Sequence, residues 1–259
     1  MSGDTTKVSE RERLFNKYRE NKRIKTSDKK KMFNKDHFQI ICHSQAEESI
    51  YNFNLELVNK YIKKRYTSKL KILDVGCGCG YFLKACKQYS IGELYGVDIS
   101  PFAINHCKNN VEADVTELDI ENDNFPYDSG SFDLVCFKNV LEHVRNQEVI
   151  IKEITRVLKI NGELLILTIN GDRAAQWLNN YYGNPLYGYF EIYELKTRKE
   201  IERLLHPVFN IEVVQTTDGL IHDLVHSTWI NQNLKNFLIS LDAEIGLGIN
   251  LMLIGRKNG

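Results

Sequence analysis

The chain has 259 residues, 42% hydrophobic and 26% charged, and its 34 Lys/Arg balance 34 Asp/Glu. That balance is ordinary for a globular protein of one α/β domain with attachments. No apolar run approaches the ~20 residues that span a bilayer, and the polar start, MSGDTTKVSERERLFNKYRE, lacks the apolar centre of a signal peptide, so a cytoplasmic protein is expected.

Charge is unevenly placed. Residues 1–35 hold twelve Lys/Arg against five Asp/Glu, a balance of +7, and the remainder carries −7. This basic arm can touch an anionic surface or nucleic acid, or fold back over the acidic body; with no aromatic or glycine-rich nucleic-acid signature beside it, the second reading is preferred. Ser9–Glu12 fits a capping box, and the Lys29-Lys30-Lys31 run marks a break. A second box, Ser44–Glu47, opens a helix whose apolar residues Ile50, Phe53, Leu57, Val58, Tyr61 and Ile62 recur at helical spacing to about Tyr66.

Strands and helices then alternate. Strands are expected at Lys71–Val75, Glu93–Asp98, Val111–Val115, Phe132–Lys138 and Glu163–Ile169. Helices are expected from Gly80 to Gln88, from the Ser100-Pro101 start to Asn109-Asn110, and through Lys159 before an Asn161-Gly162 turn. Repeated units of this length argue a parallel sheet covered on both faces, with ligands beyond the carboxyl ends of its strands. Residues 170–196 have no clean period. A capping box at Thr197–Glu200 opens a helix to Leu205, Phe209–Gln215 and Ile249–Arg256 alternate like strands, and 227–244 has helical spacing.

The most informative stretch is LKILDVGCGCGYFL, Leu70–Leu83. A strand ends in Asp74, glycines follow at Gly76, Gly78 and Gly80, and a helix begins: a loop of bare backbone for a nucleoside. The Gly-x-Gly-x-Gly spacing is neither the dinucleotide fingerprint nor a phosphate loop. A carboxylate before the first glycine repels a pyrophosphate and suits an ammonium, which points to S-adenosylmethionine. Cys77 and Cys79 form C-x-C with no second pair at ligand spacing, so the six cysteines (with Cys42, Cys86, Cys107 and Cys136) read as reduced, small apolar residues and no metal is expected.

DVGCGCG, then GVDIS, EADV, FPYDSGSFDLVCFKNVLEHV and RVLKINGELLIL together resemble a class I S-adenosylmethionine-dependent methyltransferase, of the group acting on small molecules (methyltransferase type 11-like), over about residues 45–170. The resemblance implies a Rossmann-like, doubly wound, mostly parallel seven-stranded sheet with an antiparallel last strand. It implies a methyltransferase domain over 36–259, with its cofactor half at 66–170 and an acceptor or lid insertion at about 170–196. By the same resemblance Asp74 and the backbone of Gly76, Cys77, Gly78 and Gly80 hold the methionine part of the cofactor. Asp98 accepts both ribose hydroxyls, Ile99 packs on the adenine, Asp114 accepts its amino group, Val115 offers a backbone N–H, and Asn139 lines the sulfonium. His143 is a candidate base. Glu142 and His143 suggest the Glu-x-x-Glu-His magnesium set of some methyltransferases, but Asn139 stands at its first acid.

The least regular segments are expected to recognise the acceptor: Trp177, Tyr181, Tyr182, Tyr187, Tyr189 and Tyr193, with Asp36–Ile50 (His37, Phe38, His43) as a lid. As a group these aromatics suggest a ring-bearing or apolar acceptor, while each singly is as readily packing. The expectation is in-line methyl transfer to an O, N or C atom of a small molecule by a monomer or homodimer. The alternatives are a methyltransferase acting on RNA or protein, for which the basic arm speaks, and a cofactor-binding subunit without turnover.

Overall fold

A computed structural model of the protein describes residues 33, 35, 38, 44–66, 69–172, 194–206, 208–217, 231 and 250–259. The basic arm through residue 32, the aromatic segment 173–193 and the expected helix at 227–244 lie outside the described residues. The described residues group into two compact units, one made of those up to Lys69 with Cys77–Leu118, the other of Leu70–Gly76 with Asp119–Gly259. Among the described residues seven strands form one sheet in the order β3-β2-β1-β4-β5-β7-β6.

The first unit holds α1 (Ser44–Leu57), α2 (Tyr81–Gln88), β2 (Glu93–Asp98), α3 (Pro101–Asn110) and β3 (Asp114–Glu117). α1 passes directly into a π-helical stretch, Val58–Ile62, which replaces the last turns of the α-helix expected to reach Tyr66. α3 starts as its sequence dictates: the Ser100 hydroxyl accepts from Ala103 N and Pro101 occupies the first turn, where it forfeits no helical hydrogen bond. β2 and β3 run parallel, with Gly96 opposite Val115 and Asp98 opposite Glu117.

The second unit holds β1 (Lys71–Val75), β4 (Phe132–Lys138), a 3-10 turn (Leu141–His143), α4 (Gln147–Val157), β5 (Leu158–Ile169), α5 (Arg198–Leu205), β6 (Phe209–Thr217) and β7 (Asn250–Lys257). β1, β4 and β5 are parallel neighbours, and β7 runs antiparallel to both β5 and β6. Ile72, Leu73, Val135, Phe137, Ile166 and Leu253 are fully buried, the near-continuous apolar signature of interior strands. The Thr197–Glu200 capping box forms reciprocally and opens α5. β5 begins five residues earlier than expected; Asn161, with φ of 64°, and Gly162 sit inside it at a break in its register with β4.

β3 is the other displacement. Expected over Val111–Val115, it runs Asp114–Glu117, because Val111 instead closes α3, its N–H bonded to Cys107 O. Asp114 therefore opens the strand and is exposed, instead of standing at its carboxyl end. Val115 lies in mid-ladder, buried opposite Gly96.

Gly80 joins the glycine loop to α2 with φ of 82°, and a β-carbon there would collide with Cys107 Sγ and reach Val111 at 3.2 Å. Gly80→Ala is expected to cost about 1–3 kcal/mol from the left-handed backbone alone, with the collision adding to it. Urea denaturation should show a lower midpoint than wild type, and an unchanged midpoint would mean that α3 yields freely to the added methyl.

Candidate cofactor site

The site residues of the first unit are arranged around one carboxylate. Asp98 ends β2 and is 6% exposed. Its Oδ2 accepts from the Gly78 N–H at 2.9 Å and its Oδ1 from the Ser100 N–H at 2.9 Å. One carboxylate thus ties the glycine loop to the start of α3. A carboxylate offers about four lone-pair sites, so beyond these backbone donors the group keeps room to accept from a ligand hydroxyl. Burial pushes the Asp98 carboxyl up from 3.8 to about 6, against the lowering effect of the Ser100, Gly78 and Ile99 amides.

The loop around it is short and tightly specified. The Cys77 N–H donates to Val97 O at 3.0 Å, and Gly80 N–H closes the turn on Cys77 O at 3.0 Å. Gly78 adopts φ of 52°, the left-handed region where a side chain is strained. Cys77 packs against Gly96, whose missing side chain makes the room: a β-carbon there would lie 3.0 Å from Cys77 Cβ. Cys77, Cys79, Cys86, Cys107 and Cys136 are free and buried, and Cys42 lies outside the described residues. Ile99 follows Asp98 at the strand end, half-buried. Leu118, just past β3, donates its N–H to Asp98 O at 2.9 Å, so the chain leaving β3 passes beside Asp98 before reaching Asp119. The Asp119 carboxylate turns that loop, accepting from Glu121 N at 3.1 Å and Asn122 Nδ2 at 2.9 Å.

In the second unit, Asp74 lies buried near the end of β1, paired in register with Cys136 of β4. Gly76 follows with φ of 76°, and a β-carbon there would collide with Val140 Cγ2. Asn139, just past β4, also has a left-handed backbone (φ 55°) and is exposed, its N–H bonded to Leu167 O at 2.7 Å. The 3-10 turn then carries two buried titratable groups. Glu142 is 2% exposed and accepts from the Thr168 hydroxyl at 2.8 Å. Burial raises its carboxyl above the usual range, opposed by neighbouring His143 and by Thr168. His143 is buried, its N–H bonded to Val140 O.

Sequence reasoning misses the glycine loop's own anchor, Gly78 N–H on Asp98, and the passage of Leu118–Asp119 beside Asp98. The second leaves no local signal, since VEADV alternates like a strand and only pairing with β2 carries the strand on to Glu117. His43, Trp177, Tyr181, Tyr182, Tyr187, Tyr189 and Tyr193 lie outside the described residues. Among the described residues no three His, Cys, Asp or Glu side chains are grouped to hold a metal, and no helix is long and apolar enough to cross a membrane.

Residues 73–166 match the family described as a methyltransferase domain. Among curated proteins the chain is similar to a ubiquinone biosynthesis O-methyltransferase of Coxiella burnetii, 32% identical over 129 residues covering 47% of this chain and 55% of that protein. It is also similar to one of Rickettsia akari, 26% identical over 202 residues covering 73% and 77%. The chain therefore spans about half the length of the Coxiella relative. Among solved structures it shares the fold of the plantazolicin methyltransferase BpumL, held in complex with a triazolic desmethylPZN analogue and SAH, with a TM-score of 0.58 at 20% identity over 96% of this chain and 98% of that one.

Ionised Asp98 suits a ribose diol better than the protonated acid, so ligand affinity should follow its ionisation. With the carboxyl near 6, S-adenosylmethionine should bind about tenfold more weakly at pH 5 than at pH 7. Without ligand the sign for folding is the reverse. Between 3.8 and about 6 the folded chain holds a proton that the unfolded chain has lost, so the contribution of Asp98 to stability falls as pH rises through that window. Calorimetric titration across pH 5–8 checks the first statement, and a flat affinity would contradict it.

Proposed function

We propose that this chain is a class I S-adenosylmethionine-dependent methyltransferase, as the match of residues 73–166 to a methyltransferase domain supports, and that it moves a methyl group from S-adenosylmethionine to a hydroxyl on a ring-bearing small molecule. The observation that carries the cofactor half is the Asp98 carboxylate, buried, oriented by two backbone N–H groups and tied to Gly78. The acceptor half is supported by the relatives, which are named for O-methylation in ubiquinone biosynthesis.

The residues fit that cofactor. Asp98 takes the ribose hydroxyls, and the backbone of Gly76, Cys77, Gly78 and Gly80, with Asp74 before it, receives the amino-acid tail. Ile99 packs on the base. With β3 starting later, Leu118 and Asp119 join Asp114 and Val115 as candidates for the adenine contact in this reading, since the Leu118 N–H is bonded to Asp98 O. Asn139 borders the methyl.

The cofactor supplies a methyl on a sulfonium, already a good leaving group. What remains for the chain is to align a nucleophile, exclude water and take a proton. A ring hydroxyl is largely protonated at neutral pH, so its oxygen attacks best while a base removes the proton. His143 is the residue for that task. It lies on the 3-10 turn just past β4, and the turn is pinned to β5 by Asn139 N–H on Leu167 O and by Thr168 on Glu142. His143 would take the hydroxyl proton on an imidazole nitrogen as that oxygen attacks, and the bound cofactor would supply the methyl and keep the sulfur that it leaves.

Calorimetry should show S-adenosylmethionine binding, weakened roughly hundredfold or more in Asp98→Ala by the loss of two charged hydrogen bonds. Tritiated methyl should pass from the cofactor to a dihydroxybenzoate. His143→Ala should lower kcat roughly a hundredfold while cofactor affinity stays within twofold. Binding without transfer to any ring hydroxyl, alongside transfer to an amine, would overturn the acceptor assignment.

A further inference from the structure

We infer that Phe38 closes over the glycine loop and holds the cofactor's amino-acid end in place, a positioning role for the cofactor and not the acceptor-lid role expected from the sequence. This rests on the cofactor reading above. The observation behind it is local to the first unit.

Gly78 has two fixed neighbours. Its N–H points to Asp98 Oδ2, and its α-carbon faces the Phe38 ring: a β-carbon at Gly78 would stand 3.4 Å from Phe38 Cε1, ordinary van der Waals contact. Phe38 precedes the first strand by more than thirty residues, yet it is only 7% exposed. It clusters with Cys79 of the loop, Tyr81 of the first turn of α2 and Ala103 of the first turn of α3, with Phe33, Ile50, Tyr51 and Phe102 packed around them. The Phe102 ring lies 6.5 Å from it, tilted by 31°.

The groups that Phe38 touches are the ones that orient the site. Cys79 sits between the two glycines that bracket it in the loop. Ala103 receives the Ser100 cap, and Ser100 is the second donor to Asp98. Apolar cover here shields the Gly78–Asp98 hydrogen bond from water, and a hydrogen bond is stronger in such a low-dielectric setting. A nucleoside whose ribose rests on Asp98 and whose tail follows the loop runs beside this ring. Entry and release then require the ring to swing off Gly78, and its return sets how long the ligand stays.

A ring that only fills the core and a ring that holds ligand differ in one readout. Removing a core ring lowers stability and leaves release from the folded protein unchanged. Removing a retaining ring speeds release. The test loads wild type, Phe38→Ala and Phe38→Leu with tritiated S-adenosylhomocysteine, adds excess unlabelled compound and follows retained label by rapid filtration, with a thermal melt of each protein. Release at least tenfold faster from Phe38→Ala, with Phe38→Leu between it and wild type, is the expected result. Release at the wild-type rate from both variants, with only the melting temperature lowered, would overturn the inference. Should Phe38→Ala fail to fold, Phe38→Leu decides alone by the same criterion: threefold faster release supports retention, and the wild-type rate overturns it. Wild type that binds no label at equilibrium, before the chase, would defeat the cofactor reading itself, whereas bound label with equal release rates defeats only the role of Phe38.

Discussion

The buried carboxylate of Asp98 constrains everything around it. An ionised acid removed from water needs compensation, and here it comes from the amides of Gly78 and Ser100. Those two donors belong to the glycine loop and to the cap of α3, so satisfying one charge also fixes where a loop and a helix start. Ser100 acts twice, its N–H serving Asp98 and its hydroxyl serving Ala103. Compensation is incomplete, as the carboxyl near 6 shows; holding it ionised costs on the order of 3 kcal/mol. A ligand that adds hydrogen bonds to this acid recovers part of that cost, which is the physical reason for placing binding here.

The glycines of the loop are needed for different reasons, and only part of that need concerns a ligand. Gly76 leaves room for Val140, and Gly80 leaves room for Cys107. Gly78 is constrained by its backbone angle, with its open face in contact with Phe38. A motif that reads as a bare cradle is thus largely a packing solution, in which left-handed turns let the chain leave β1 and enter α2 within five residues. The bare backbone that suits a nucleoside follows from that geometry.

Much of this is legible in the sequence because the chemistry is local. The Ser100-Pro101 start and the Thr197–Glu200 box act within a few residues, so sequence is sufficient to place α3 and α5. Asp98 is legible because the apolar run ELYGVD ends abruptly in an acid. β3 is not: VEADV alternates like a strand, but pairing with β2 sets Tyr95 opposite Asp114 and leaves Val111 to finish a helix. That tertiary choice moves the strand end, and with it the acid that follows the strand. The π-helical stretch at Val58–Ile62 is equally hidden, since buried Val58 and Ile62 satisfy an ordinary α-helical spacing. The acceptor residues expected from the sequence lie outside those described, so the proposed acceptor rests on the relatives and on the turn that carries His143.

The most direct test is a crystal structure of the protein with S-adenosylhomocysteine. Both ribose hydroxyls are expected within hydrogen-bonding distance of the Asp98 carboxylate, with Gly78 N–H still on Oδ2 and the amino-acid tail along the loop. A nucleoside bound with its ribose away from Asp98, or with a different group of the ligand on that acid, would contradict that placement.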